Sequence, residues 1–208
     1  MDNHSRILRL WAAAGVIICI FQYSASAEGY YSFGRSINKP FGDPNLKNIE
    51  VVENIFVPIT GKVLNIDLAL NIEHTSICDL QIYLKSPAGT EVCINSYDYD
   101  IDGGRMFEPN RQNFYWTVFD AESPISIDSG KSPYCGLFRP NGPGSLTDFY
   151  GEQSYGTWQV RVKDWIYADT GTFKGVRLDF YINPEPSTVL LFAFSALIGI
   201  SSGKHRPV

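Results

Sequence analysis

A chain of 208 residues suits one domain with short terminal segments rather than two domains, which most often hold about 100 to 150 residues each. Its composition, 44% hydrophobic, 14% aromatic and 19% charged, excludes a disordered chain and supports a buried core. The net charge is −5, and residues 28–183 carry 20 acidic against 13 basic side chains, a balance that argues against nucleic acid, whose phosphates demand Lys and Arg.

The amino terminus differs from the rest. Arg6 and Arg9 sit in a polar start, Leu10 to Phe21 form the apolar stretch LWAAAGVIICIF, and Ala25 and Ala27 supply small residues. That order is a secretory signal peptide over residues 1–27, expected to be cut after Ala27 by signal peptidase. A retained anchor fits less well, because twelve apolar residues fall short of the about 20 that span a bilayer. Residues 28–49, beginning EGYYSFGRSINKPFGDPN, mix turn formers with little periodicity. They read as a leader, with the first strand starting near Val51 or Ile55.

Period 2 dominates from there on. In KVLNIDLALNIEH, Leu64, Ile66, Leu68, Leu70 and Ile72 alternate with Asn65, Asp67, Ala69, Asn71 and Glu73, giving one apolar and one polar face. DLQIYLK points Leu80, Ile82 and Leu84 inward, turns through SPAGT at Pro87 and Gly89, and returns as EVCIN with Val92 and Ile94, a hairpin. NFYWTVF offers Phe114, Trp116 and Val118 to one face; GTWQVRVKD offers Trp158, Val160 and Val162; GVRLDFYI offers Val176, Leu178, Phe180 and Ile182. With loop-rich intervals and no amphipathic helix, residues 50–183 are expected to form an all-β, antiparallel, jelly-roll-like sandwich of two sheets.

Three groups invite a chemical reading. SYDYDIDGGRMFEP spaces Asp98, Asp100 and Asp102 by two ahead of Gly103, the first half of a D-x-D-x-D-G calcium loop. Pro109 stands where an EF-hand needs its bidentate Glu, so an EF-hand is excluded; another oxygen-ligand site for Ca2+ and a solvated acidic loop both stay open. Tyr97, Tyr99, Trp165 and Tyr167 suit sugar stacking or loop packing. His74 is the one histidine between the terminal segments, and with Asp79 five residues on it reads as a structural hydrogen-bonding pair before a catalytic base. Once Cys19 leaves with the signal peptide, Cys78, Cys93 and Cys135 allow at most one bridge, and spacing does not say which pair forms it.

The strings HTSICDLQIYLKSPAGTEV, TVFDAES, GLFRP and LTDFYGEQSYGTWQVRVKDWIYADTGTFKGVRLDFYI, in that order, resemble the P domain, also called the Homo B domain. In that family it follows the catalytic domain of kexin- and furin-type proprotein convertases and of many bacterial subtilisin-like proteases. The likeness covers about residues 50–182 and implies a structural signature at His74, Asp79, Asp120, Gly156, Trp158, Asp164, Asp169 and Gly171. It implies no catalytic residue here, since neither a Gly-Thr-Ser-Met-Ala nor a His-Gly-Thr-His motif is present.

Residues 184–208 close the chain with Pro184, Glu185 and Pro186, an apolar run from Val189 to Ile200, then Lys204, His205 and Arg206. This resembles the PEP-CTERM sorting signal of exopolysaccharide-producing Gram-negative bacteria, a hydrophobic helix recognised by the membrane enzyme exosortase. The basic end is sparser than is common in that family. Together the two resemblances imply an exported, non-catalytic module, held transiently at the inner membrane and delivered to the cell envelope or extracellular matrix. Its expected work is stabilising or binding a partner, either a subtilisin-like serine endopeptidase acted on in trans or an exopolysaccharide.

Overall fold

The computed structural model describes residues 12–13, 16–17, 28–42, 49–97, 112–166 and 170–184. A two-residue antiparallel ladder joins Ala12–Ala13 to Val16–Ile17. The described residues from 28 to 184 contain nine strands: β1 (Gly29–Phe41), β2 (Glu50–Val57), β3 (Gly61–His74), β4 (Leu80–Lys85), β5 (Glu91–Asn95), β6 (Phe114–Phe119), β7 (Leu137–Phe138), β8 (Gly156–Asp164) and β9 (Gly171–Pro184). The alternation of the sequence becomes burial, strictly so in β2, where every second residue is buried.

The strands make two sheets, β2-β8-β4-β5 and β1-β9-β3-β6-β7. All pairings are antiparallel except the two-residue parallel contact of β6 with β7. The sheets face each other as the expected sandwich. Trp158 of β8 meets Phe180 of β9 across the gap, ring centroids 5.1 Å apart at 66°, and meets Phe149 at 5.2 Å and 72°. Its Nε1–H donates to the Ser154 carbonyl at 2.9 Å, so the one polar atom of the largest core side chain is satisfied. Gly156, which opens β8, takes φ +129°, and a Cβ there would lie 2.8 Å from Pro87 of the β4–β5 turn.

Three expectations are corrected. Residues 29–41 are not a leader but the edge strand of the larger sheet, paired along β9 from Gly171↔Phe41 to Ile182↔Gly29. Their apolar alternation, Tyr31, Phe33 and Ile37, is broken by Gly34 to Ser36 and by Asn38 at φ +58°, and Pro40 suits an edge, which hid the strand. A bulge near the start of β3 gives Val63, not Leu64, the buried position. An extra residue in β6 turns Trp116 and Val118 away from the core and Thr117 into it, where its hydroxyl donates to the Tyr134 carbonyl. The Cys93 thiol is buried and the Cys135 thiol exposed, and neither is bridged.

One charged side chain also points inward. Glu53 of β2 has no exposed side-chain surface, and its carboxylate takes Arg35 and, at 2.5 Å, Lys39 from β1. Since β1 and β2 are the edges of opposite sheets, these ion pairs close one open side of the sandwich.

Candidate functional site

β3 ends at His74 and β8 ends at Asp164, so the two residues meet at one end of the sandwich. His74 Nε2 lies 3.3 Å from Asp164 Oδ2, and both side chains are fully buried. Nδ1 accepts from the Ser76 N–H at 3.1 Å and lies 2.6 Å from the Ser76 carbonyl oxygen. Asp164 Oδ1 accepts from Ile166 N–H at 3.0 Å, and Phe41 stacks on the imidazole at 5.3 Å and 15°. Gly171 lets the chain pass close by: a Cβ there would lie 2.3 Å from His74 Cδ2. The expected partner Asp79 sits instead in the 77–79 turn, its carbonyl accepting from Trp165 N–H at 3.0 Å.

Both imidazole nitrogens have polar neighbours and the side chain has no exposed surface, so the contact ties the end of β3 to the end of β8. An Asp-Ser-Gly tripeptide at Asp128 to Gly130 lies in a 3-10 turn, where Asp128 accepts from Asn141 Nδ2 at 2.8 Å. That too is a scaffold contact.

A second polar group has no signature in the sequence. On the outer face of the larger sheet Asp67 of β3 stands directly opposite Asp179 of β9, and Asp120 follows β6 on the other side. Burial, then Asp120, Asp179 and Glu122, push the Asp67 carboxyl up to about 6. Asp179 is held by Ser32 Oγ at 2.6 Å and by Arg177 Nε at 2.9 Å, whereas Asp67 Oδ1 is buried without a hydrogen-bond partner. Each of these aspartates looks like an ordinary outward residue in its own strand, and only the cross-strand register brings them together. No group of three or more His, Cys, Asp or Glu among the described residues is placed to hold a metal ion.

Of the aromatics considered for sugar stacking, Trp165 is 44% exposed, but Lys163 Nζ lies 3.4 Å from its ring centroid and Tyr97 stacks on it at 5.8 Å. Its Nε1–H donates to Gln81. Asp98, Tyr99, Asp100, Asp102, Tyr167 and Asp169 lie outside the described residues, as do Ala27, Glu185 and Pro186; Pro184 ends β9, paired with Gly61. No helix among the described residues is long and apolar enough to cross a membrane, and the run 189–200 lies outside them.

The family model described as Proprotein convertase P-domain matches residues 63–180, a span that takes in His74, Asp79, Asp120, Gly156, Trp158, Asp164, Asp169 and Gly171. The chain belongs to the P-domain family. Comparison with curated proteins found no match. Among solved structures the P domain is similar to the serine protease of Aeromonas sobria at 17% identity and a TM-score of 0.43, over 74% of this chain and 27% of that one. The same protease in complex with its chaperone gives 17% and 0.43, over 76% and 28%. The chain thus spans about a quarter of the length of those proteases.

Proposed function

We propose that this P domain is an exported, non-catalytic module that stabilises or binds a partner at the cell envelope or in the extracellular matrix. The observation that carries the reading is the family match together with the state of its polar residues. His74 and Asp164 are locked to each other inside the fold, and Trp158 is core. Work then falls to the surface. The family name ties such domains to proprotein convertases, so the partner class to test first is a subtilisin-like serine endopeptidase acted on in trans. Gel filtration of the purified chain with such a protease from the same host tests it: co-elution supports the reading, and separate elution at concentrations of about 10 μM counts against it.

Delivery is the second part of the proposal. Among the described residues β9 ends at Pro184, the first residue of the Pro-Glu-Pro sequence that an exosortase would read. Intact mass of the exported protein is the test. Loss of the segment beyond the motif in an exosortase-bearing host supports sorting, and a mature form retaining Val208 contradicts it. The Ca2+ expectation at Asp98, Asp100 and Asp102 rests on sequence, and no step depends on it. Calorimetric titration with calcium, repeated on Asp100→Ala, decides it: heat lost in the variant supports the site, and no heat in the parent removes it.

A further inference from the structure

Alternation along NFYWTVF puts Trp116 in the core, and the fold puts it outside. Between Phe114 and Thr117, β6 carries one residue more than the facing stretch of β3, Ile72 to Leu70, so the strand bulges. Trp116 takes φ +48° there, a left-handed conformation that is costly for a bulky side chain. Tyr115 and Trp116 are both exposed as a result, at 58% and 39%. A core aromatic would offset such strain by burial; a half-exposed one offsets less of it.

The indole does not stand up from the sheet. Its Cη2 and Cζ2 lie 3.0 and 3.4 Å from where a Cβ on Gly175 would be. Gly175 belongs to β9, which is separated from β6 by β3. Two strand spacings are roughly 10 Å, and only a ring lying along the sheet reaches that far. The ring therefore reaches across β3 with its Cη2–Cζ2 edge over Gly175, and the residue stays partly open to solvent.

A cavity of about 270 Å³ opens beside it, with Thr75, Gln112, Asn113, Thr170 and Thr172 in its wall. Gln112, Thr170 and Thr172 bring uncharged amide and hydroxyl groups to this wall beside His74 and Gly171; Asn113 Oδ1 accepts from the His74 N–H at 2.9 Å, and the one acidic member, Glu73, is engaged by Lys174 Nζ at 3.0 Å. Glu73 pairs with Thr172 and Asn71 with Gly175, so cavity and indole are one inward–outward repeat apart along β3, about 7 Å. A flat apolar ring beside hydroxyl and amide groups matches a pyranose, whose C–H face packs on the ring while its hydroxyls hydrogen-bond. The sign of the surface narrows the choice. Asp120, Glu122 and Asp179 all act on Asp67 further along the sheet, against the single opposing charge of Arg177 paired to Asp179, and this net acidic stretch disfavours a polyanion.

We propose that Trp116, Tyr115 and the cavity at Thr172 form a binding site for the neutral hexose rings of an extracellular polysaccharide. The site goes beyond the protease-associated reading, and only the extracellular source of its ligand rests on the export reading.

Calorimetric titration of the full chain with cellohexaose and laminarihexaose, and with an alginate hexamer as the anionic probe, tests the site. At least one neutral hexaose is expected to bind with a Kd near or below about 1 mM, and alginate to bind about tenfold more weakly or not at all. Trp116→Gly removes the ring and relieves the positive φ. It is expected to lower affinity by about tenfold or more while the Tm holds or rises, and Trp165→Ala to leave binding unchanged. Absence of binding to both neutral hexaoses, or unchanged affinity in Trp116→Gly, overturns the proposal. If Trp116→Gly does not fold, Thr172→Val decides: a several-fold loss supports the site, and no loss overturns it.

Discussion

His74 Nε2 and Asp164 Oδ2 lie 3.3 Å apart, with neither side chain reaching solvent. Ninety residues separate the two in sequence, so the contact joins the end of one sheet to the end of the other. Removing the imidazole alone strands a buried carboxylate. His74→Ala is therefore expected to cost about 3 kcal/mol, roughly 6 to 12 °C in Tm. The double variant His74→Ala, Asp164→Asn is expected to cost less than the two single changes summed, since each single change leaves the other partner unmatched. Thermal melts of the four proteins check this, and strict additivity would mean the pair is not coupled.

The facing aspartates predict a pH response. The Asp67 carboxyl is pushed up to about 6 from its ordinary 3.8, first by burial and then by Asp120, Asp179 and Glu122. The folded state therefore holds this proton more tightly than the unfolded chain. The group lowers stability above pH 6, and that penalty is relieved as pH falls from about 6 towards 4. Asp67→Asn is expected to raise stability at pH 7.5 by on the order of 1 kcal/mol, the scale of a like-charged cross-strand pair, and to change little at pH 4. Denaturant melts at the two pH values read both arms; equal effects at both would remove the electrostatic account.

Glu53 predicts an asymmetry. Its side chain is fully buried, whereas those of Arg35 and Lys39 are 53% and 55% exposed. Glu53→Ala leaves two cations that turn back to water, for about 1 to 2 kcal/mol, while Arg35→Ala with Lys39→Ala leaves a buried, unpaired carboxylate and costs about 3 to 5 kcal/mol. Hydrogen exchange along β1 gives a local reading, with protection of Tyr31 and Phe33 falling in both. If the carboxylate loss proves the larger effect, Glu53 is not held by these cations.

The alternation of β2 from Val51 to Val57, and that of β3 at Ile66, Leu68, Leu70 and Ile72, is legible in the sequence because burial on one face imposes period 2. β1 is not, because an edge strand needs few apolar residues and tolerates Pro40. Trp116 reads as core because one bulged residue reverses the inward–outward order of what lies on one side of it, and nothing local to NFYWTVF announces a bulge. His74 is legible as a structural residue, but sequence proximity points to the wrong partner. Asp79 is five residues away and Asp164 ninety, and the register of distant strands decides such contacts. The Asp67–Asp179 pair is hidden for the same reason.

We propose that this P domain serves a partner and does no chemistry of its own. The half-life of a subtilisin-like protease from the same host, held near its inactivation temperature with and without saturating full chain, puts this to the test. A half-life lengthened several-fold by the parent chain, and less so by the destabilised His74→Ala chain, is the predicted result. An unchanged half-life, with peptide hydrolysis by the purified chain alone that His74→Ala abolishes, would contradict it.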